Sequence, residues 1–280
     1  MIGAEEVVLF FITGIVAGIS AGLLGIGGGL FYILLFGLYL GKIDTIESHE
    51  VVRLVIANSI FATFFAALSA SIKQWRLNNF FFRPVVIIGL VGLIASIGIT
   101  FLLTKTSFYS RGVFAFVFTL ALIPVIIKMI RGNDGKVSNH PDAVPNPKFL
   151  GLGFLSGSAT ALSGLGGGFV MVPILNGLFK IGIKQATSIS IGVIVIVSGA
   201  TSLYNLFFLG SATLDLQFIQ GSIVLPMVLP VVLGVLTGAP LGVLWANRIP
   251  EKTIRIIFVI FCLLIILRNF KEMWLEWTIT

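Results

Sequence analysis

An all-α integral membrane protein is the fold class this sequence predicts: two inverted repeats, each a re-entrant helical hairpin followed by three transmembrane helices. Three observations predict it. The 280 residues are 57% hydrophobic and only 10% charged, with a mean hydropathy of +1.10, whereas a soluble domain carries about 25% charged residues. A glycine phrase occurs twice, as GLLGIGGGL from Gly22 to Leu30 and as LSGLGGGF from Leu162 to Phe169. Aligning Gly27, Gly28 and Gly29 with Gly166, Gly167 and Gly168 sets a constant offset close to half the chain. The same offset pairs Gly18 with Gly157 and Gly25 with Gly164. Finally, each phrase breaks an apolar run and is followed by an apolar stretch too short to cross a bilayer.

Taken in order, the apolar segments are Val7 to Leu24, then after the first glycine cluster Leu30 to Leu40, Val51 to Ile72, Phe80 to Leu103 and Gly112 to Ile130. The series repeats as Phe149 to Ser163, the second cluster, Phe169 to Phe179, Ala186 to Leu209, Leu216 to Ala246 and Thr253 to Leu267. The first repeat therefore occupies residues 1–130 and the second 149–280. Between them, Arg131 to Lys148 is polar and rich in Pro, Gly and Asn, the composition of a flexible linker. Leu30 to Leu40 and Phe169 to Phe179 have eleven residues each. An eleven-residue helix is roughly 16 Å long, about half the hydrocarbon thickness. Each pair flanking a glycine cluster is thus expected to enter the membrane, turn near the middle and leave on the same side. Pro124, Pro173, Pro226, Pro230 and Pro240 fall in spans and read as kinks, three of them in the segment from Leu216.

The basic residues choose the topology. If each hairpin returns to its own side, each half crosses three times and the second half is inverted. The 18 Lys and Arg then divide twelve against six, with the linker on the richer side; four crossings per half divide them nine against nine. The positive-inside rule prefers the first arrangement, which puts the linker in the cytoplasm and both termini outside. The same scattering of basic residues through short loops explains the net charge of +7 without a nucleic-acid partner. The N-terminus carries Glu5 and Glu6 in place of a basic region, so no cleavable signal is expected. The single cysteine, Cys262, lies in an apolar run and excludes an internal disulfide.

The glycine clusters are the first candidate site. A turn at bilayer depth frees backbone N–H and C=O groups that lipid cannot satisfy, so it must lie inside protein or beside a water-filled cavity. The helix after it begins with unpaired N–H groups at its positive dipole end, and glycine lets a ligand approach them closely. Gly27, Gly28, Gly29, Gly166, Gly167 and Gly168 together make an anion cradle without a charged side chain. The competing role is close helix packing through small residues. A dinucleotide-binding loop is excluded, because the third required glycine position is Leu30 or Phe169. Asn58-Ser59 and Thr187-Ser188 sit early in the span after each hairpin, at a slightly smaller offset because the first half has the longer intervening loop. They are placed to donate to a ligand at the turns or to bond between helices. Gln74 and Asn205, at span ends, read as interface anchors.

The eleven acidic residues all fall in loops or near termini on this segmentation, and His49 and His140 fall in loops. Proton relays and cation sites usually require an intramembrane carboxylate or histidine. The interior therefore suits an anion or a neutral polar solute, and no metal or cofactor is expected. His49, Glu50 and Arg53 cluster before a span and read as a solvated loop or as an outer mouth. Ser163-Gly164 suggests a nucleophile, but no His or Lys lies in a span to act as base, so hydrolysis is not expected.

The paired phrase GLLGIGGG and LSGLGGG, with Val172 to Leu175 (VPIL) after the second copy, resembles the sulfite exporter TauE/SafE family, also called the toluene sulfonate uptake permease family. The likeness covers nearly the whole chain. Thr187-Ser188 matches the Thr-Ser pair of that family, and Asn58 departs from it. The resemblance implies an inner-membrane carrier, by name an exporter, of sulfur-containing oxyanions such as sulfite, sulfoacetate, thiosulfate or organosulfonates. Substrate and direction differ among its members. The expected partners are thus a small sulfur-containing anion and the lipid bilayer, with self-association into a homo-oligomer left open. A channel-like pore for a small anion and a non-transporting membrane scaffold are the alternatives.

Overall fold

The structure, a computed structural model, describes residues 3–41, 48–105, 123, 126–127, 146–208 and 219–279. The expected span from Gly112 to Ile130, nearly all of the linker and the loop from Gly210 to Asp215 lie outside the described residues. Helices α1 (Ala4–Leu24), α2 (Gly29–Leu40), α3 (Ser48–Arg76) and α4 (Phe82–Lys105) form the first part. Helices α5 (Asn146–Ser163), α6 (Gly168–Pro173), α7 (Ile183–Phe207), α8 (Leu225–Arg248) and α9 (Glu251–Ile279) form the second. Among the described residues, five helices, α1, α3, α4, α7 and α8, contain stretches long and apolar enough to cross a membrane. The protein is accordingly a mostly helical, multi-pass membrane protein. Its outward faces carry large apolar side chains such as Leu38, Ile94 and Phe207, as a surface solvated by lipid requires.

Each helix has a local reason to start and stop. On α1, Gly3 N–H donates to the Glu6 carboxylate at 2.9 Å, and Glu5 and Glu6 lie in the positive first turn. The helix ends at Gly25, whose left-handed backbone (φ 71°) closes it with an N–H to Ala21 O bond of 2.9 Å. With 21 residues α1 is roughly 31 Å long, the full hydrocarbon thickness, whereas α2 has 12 residues. The counterpart of α2 is interrupted. Pro173 ends α6, and the chain continues as one π turn over Ile174–Leu178, closed by Phe179 N–H to Ile174 O at 3.0 Å. Proline has no N–H to continue an α-helical ladder, and the wider turn absorbs the gap.

The expected span from Leu216 is corrected by the structure. Ile219–Gln220 (β1) and Ile223–Val224 (β2) form a short antiparallel hairpin turned at Gly221 (φ 59°), and α8 begins only at Leu225. Pro226 therefore sits in the first turn of α8, where its missing N–H costs nothing, and is not a kink. Pro230 and Pro240 remain inside the helix. Gln74, read as an interface anchor, is buried. Its side chain accepts from Asn79 Nδ2 at 2.9 Å and closes the turn between α3 and α4. Asn205 is buried too, its carbonyl accepting from Ser222 N–H at 3.2 Å.

Packing is dominated by glycine. Gly14, Gly18 and Gly22 on α1 face Gly234, Gly238 and Gly242 on α8 at the same four-residue spacing. A Cβ placed on Gly14, Gly18 or Gly22 would lie 2.3, 2.9 or 2.1 Å from α8 backbone atoms. One on Gly234, Gly238 or Gly242 would lie 2.3, 2.3 or 2.1 Å from carbonyl oxygens of α1. Gly14 meets Val231, Gly18 meets Val235, and Gly22 meets Ala239 and Val243, so the two helices run parallel. In lipid, where burying apolar surface gives no advantage, such close approach is the main source of helix–helix attraction. A second parallel pair repeats the device: Gly153 of α5 meets Ile88 of α4, and Gly157 meets Gly92. Further parallel pairs are α3 with α8 and the hairpin leading into it, through Ser69 Oγ to Leu236 O and Asn58 Nδ2 to Ser222 O, and α4 with α7, through Gly192 against Val85 and Ser96 against Thr201. The reversal between α3 and α4 takes only the short stretch 77–81. Helices α1, α3 and α8 consequently run one way and α4, α5 and α7 the other.

Gly238→Val should cost at least about 2 kcal/mol, within the range for forcing bulk into a packed interior, because its added atoms meet main chain that cannot move aside. Gly37→Ala, at a helical position with nothing within 4 Å of the new methyl, should leave stability equal or raised by about 0.5–1 kcal/mol. Thermal unfolding of the purified protein in detergent compares the two.

Candidate functional site

The two glycine phrases adopt the same backbone trace. Gly25, Gly27 and Gly28 have φ of 71°, 78° and 75°, and Gly164, Gly166 and Gly167 have 68°, 86° and 68°. Three left-handed residues in four are accessible to glycine and strained for any other residue. That requirement is why the chain spends so many glycines here. The turns also press on each other. A Cβ on Gly29 would lie 2.5 Å from Leu165 Cα, and one on Gly168 would lie 2.2 Å from Gly25 O. All residues of 21–30 and 164–173 are buried.

The turns sit at mid-height of the bundle. Thr63, near the middle of α3, and Ile194, near the middle of α7, each touch both Gly27 and Gly166. The first turn reaches past this level, since Gly25 packs on Thr187, in the second turn of α7, and Gly164 packs on Ile56 of α3. Each helix holds the turn of the other half by a serine. Ser59 Oγ donates to Gly164 O at 2.8 Å, and Ser190 Oγ donates to Gly25 O at 2.6 Å. These contacts give the alignment of α3 with α7 directly: Ile56 pairs with Thr187, Ser59 with Ser190 and Thr63 with Ile194, all at one constant offset.

The four side chains expected beside a ligand have protein partners. Asn58 is saturated: Nδ2 donates to Leu54 O at 2.8 Å and Ser222 O at 3.1 Å, and Oδ1 accepts from Val224 N–H at 2.8 Å. It pins the β-hairpin to α3. Ser59 is the turn clamp just described. Thr187 Oγ1 donates to Lys184 O at 2.8 Å, and Ser188 Oγ donates to Asn79 O. A short hydroxyl on a buried helix readily finds a main-chain carbonyl, and that local option took precedence.

The glycines behave differently. Among the described residues, the amides of Gly27, Gly28, Gly166 and Gly167 have no hydrogen-bond acceptor, while Gly168 N–H donates to Gly166 O at 2.8 Å. Two further buried residues border the first turn. Among the described residues neither Tyr32 Oη, 2.7 Å from where a Gly28 Cβ would stand, nor the hydroxyl of Thr63, whose methyl lies beside Gly27, has a hydrogen-bond partner. Thr63, Ile194, Tyr32 and Ser190 are the residues that sequence reasoning missed. Ser190 has a sequence signal: pairing Ser59 with Ser190, in place of Ser188, puts a serine at the same level of both helices. Among the described residues the buried polar side chains are all uncharged. The polarity of this buried region therefore comes from main-chain dipoles and uncharged side chains.

A family model for the sulfite exporter TauE/SafE proteins matches residues 10–269. The chain belongs to this family. It is similar over 252 residues, at 27% identity and with 89% of each chain covered, to a probable membrane transporter protein of Methanocaldococcus jannaschii. It is similar over 268 residues, at 26% identity and covering 95% of this chain and 98% of the relative, to a probable membrane transporter protein of Haemophilus influenzae. No solved structure matches it significantly. The TauE/SafE chain is thus a member of a membrane transporter family, and the glycine turns are the feature of its interior that most needs a functional account.

Ser59→Ala and Ser190→Ala should each lower stability by about 1–3 kcal/mol, since each leaves a buried carbonyl of the opposing turn unpaired. Both changes together should also loosen the turns, read as faster amide exchange at residues 25–29 and 164–168.

Proposed function

We propose that this TauE/SafE protein moves a small sulfur-containing oxyanion across the inner membrane, in the export direction the family name describes, by alternating access around the two glycine turns. Sulfite, thiosulfate, sulfoacetate and organosulfonates form the substrate class. One observation carries the reading: matched, buried turns offer amides at Gly27, Gly28, Gly166 and Gly167 that have no acceptor among the described residues. An unpaired buried N–H costs about 1–3 kcal/mol, so four in one enclosure suit a guest that supplies acceptors. An oxyanion does so, and successive glycine amides with left-handed backbone form an anion-binding concavity. Gly29 and Gly168 complete the turns by allowing the two backbones to touch, and Asn58, Ser59, Thr187 and Ser188 serve as their scaffold.

Two inverted repeats supply the mechanics. Support for inversion comes from the pairing of helices. The helix before each turn, α1 or α5, packs parallel to a long helix of the other half, α8 or α4, and the two groups so formed run in opposite directions. The turns then enter from opposite faces, with both termini outside and the linker in the cytoplasm. Because every residue of 21–30 and 164–173 is buried, a substrate reaches the amides only when one group of helices shifts against the other. This favours a carrier over an open pore. The boundaries expected from such motion are the α3–α7 and turn–turn contacts, where the halves meet.

Purified protein should gain thermal stability with sulfite, thiosulfate, sulfoacetate or taurine, by about 2.7 kcal/mol when the anion is present at one hundred times its Kd. Reconstituted protein should show saturable uptake with counterflow. Gly27→Ala, whose methyl would stand 2.7 Å from the Thr63 methyl, should reduce transport at least about tenfold, equivalent to about 1.4 kcal/mol, while Gly37→Ala transports normally. Absence of any stabilising anion, or unchanged flux in Gly27→Ala, would remove the reading. The topology is checked separately in a Cys262→Ala background. An impermeant thiol reagent added outside should label Gly3→Cys and spare Asn78→Cys.

A further inference from the structure

Helices α3 and α7 run antiparallel and cross at the level of the glycine turns, where Thr63 and Ile194 stand. On each face of the bundle a loop ties the two helices together, and the two ties are built alike. On the face that carries Gly3, the β-hairpin caps the end of α7. Ser222 N–H donates to Asn205 O at 3.2 Å, and a Cβ on Gly221 would stand 2.5 Å from the carbonyl oxygens of Asn205 and Leu206. Asn58 of α3 hooks the same hairpin, donating to Ser222 O at 3.1 Å and accepting from Val224 N–H at 2.8 Å. On the opposite face, the stretch 77–81 caps the end of α3. Asn79 N–H donates to Gln74 O at 3.0 Å, and Leu77 N–H donates to Lys73 O at 3.2 Å. Ser188 of α7 hooks this stretch by donating to Asn79 O. Each loop thus closes the end of one long helix and is held by a side chain of the other. Asn58 precedes Thr63 by five residues and Ser188 precedes Ile194 by six. The hooks therefore lie about 8 Å along the helices from the crossing, one toward each face.

We propose that these two ties are the gates of the transporter. Asn58 with the β-hairpin keeps the face of Gly3 shut, and Ser188 with the stretch 77–81 keeps the face of Asn78 shut. Access alternates when one tie is released while the other holds. This rests on the transport reading above and names the contacts that must break in each half of the cycle. Both hooks are engaged here, and every residue of 21–30 and 164–173 is buried, which is the arrangement of a carrier closed to both sides. Because the ties flank the crossing of α3 with α7, parting the helices on one face breaks that tie and spares the other. The main-chain groups so released, Ser222 O and Val224 N–H or Asn79 O, exchange a protein partner for the water that enters on that face. The exchange is modest in cost, so each gate is reversible.

The test uses the full chain with Cys262→Ala and a reporter, Thr63→Cys, whose side chain is fully buried against both turns. Labelling by an impermeant thiol reagent is measured from each face, in right-side-out cells and in inside-out vesicles, without substrate. Gly3→Cys and Asn78→Cys identify the faces. Asn58→Ala should raise the labelling rate at least about fivefold from the face of Gly3 alone, and Ser188→Ala at least about fivefold from the face of Asn78 alone. Asn58→Ser should show the sidedness of Asn58→Ala and serves if that variant does not fold. Ser222→Ala should label as the parent does, because the hairpin is held by the Ser222 main-chain carbonyl. A merely structural loss would loosen both faces together. Labelling that rises from both faces, or from neither, in both variants overturns the inference, and saturable anion flux measured alongside keeps the transport reading. Absence of anion flux in the wild type removes that reading, and the gates with it.

Discussion

A main-chain amide or carbonyl cannot be left facing hydrocarbon, and this single constraint organises the molecule. A chain that turns in the interior of a bilayer must bring its own solvent. Here the solvent for each turn is the other turn and the helix opposite. Gly25 O is taken by Ser190, Gly164 O by Ser59, and both turns are enclosed by α3 and α7. Once the turns are buried that way, their lengths, the short return helices and the crossing of α3 with α7 at Thr63 and Ile194 follow.

Glycine does two separate jobs in this architecture, and the difference matters for reading any one of them. At Gly25, Gly27 and Gly28, and at their counterparts, it supplies left-handed backbone. At Gly14, Gly18, Gly22, Gly234, Gly238 and Gly242 the backbone is ordinary helix, and what counts is the missing Cβ. The second job anchors the first. The α1–α8 and α4–α5 contacts fix the helix leading into each turn against the opposite half, so the turn is delivered to mid-height by a rigid rod. The return arms differ between the halves. The α2 arm is regular, and its counterpart breaks into a π turn after Pro173.

The repeat is close in backbone and loose in side chains. The turns match in φ when Gly27 is laid on Gly166, yet the following helices match when Ser59 is laid on Ser190. The two offsets differ because the first half has the longer intervening loop. Serine clamps are shared by both halves. Thr63 and Ile194 are not alike, nor are Tyr32 and Met171. The repeat therefore holds in the main chain of the turns and not at every side chain around them.

The sequence by itself determined the class, the two glycine phrases, the short return helices and the uncharged interior. Each of these follows from local composition: apolar runs long enough to cross, glycine where the backbone must turn left-handed, and charge kept to loops and to the end turns of helices. The family was legible from the same residues. Tertiary structure alone decided what the small polar groups do. Asn58 and Ser188 share a chemistry that serves a ligand or a neighbouring main-chain group equally well, and only the fold shows that Asn58 bonds to Ser222 and Val224 and Ser188 to Asn79. It also decided that Leu216 onward includes a β-hairpin, since the apolar run hides a turn at Gly221 that Asn58 captures from a distant helix. Thr63 was invisible for the same reason. A threonine in an apolar helix becomes distinctive only when two turns, far apart in the chain, are seen to close on it.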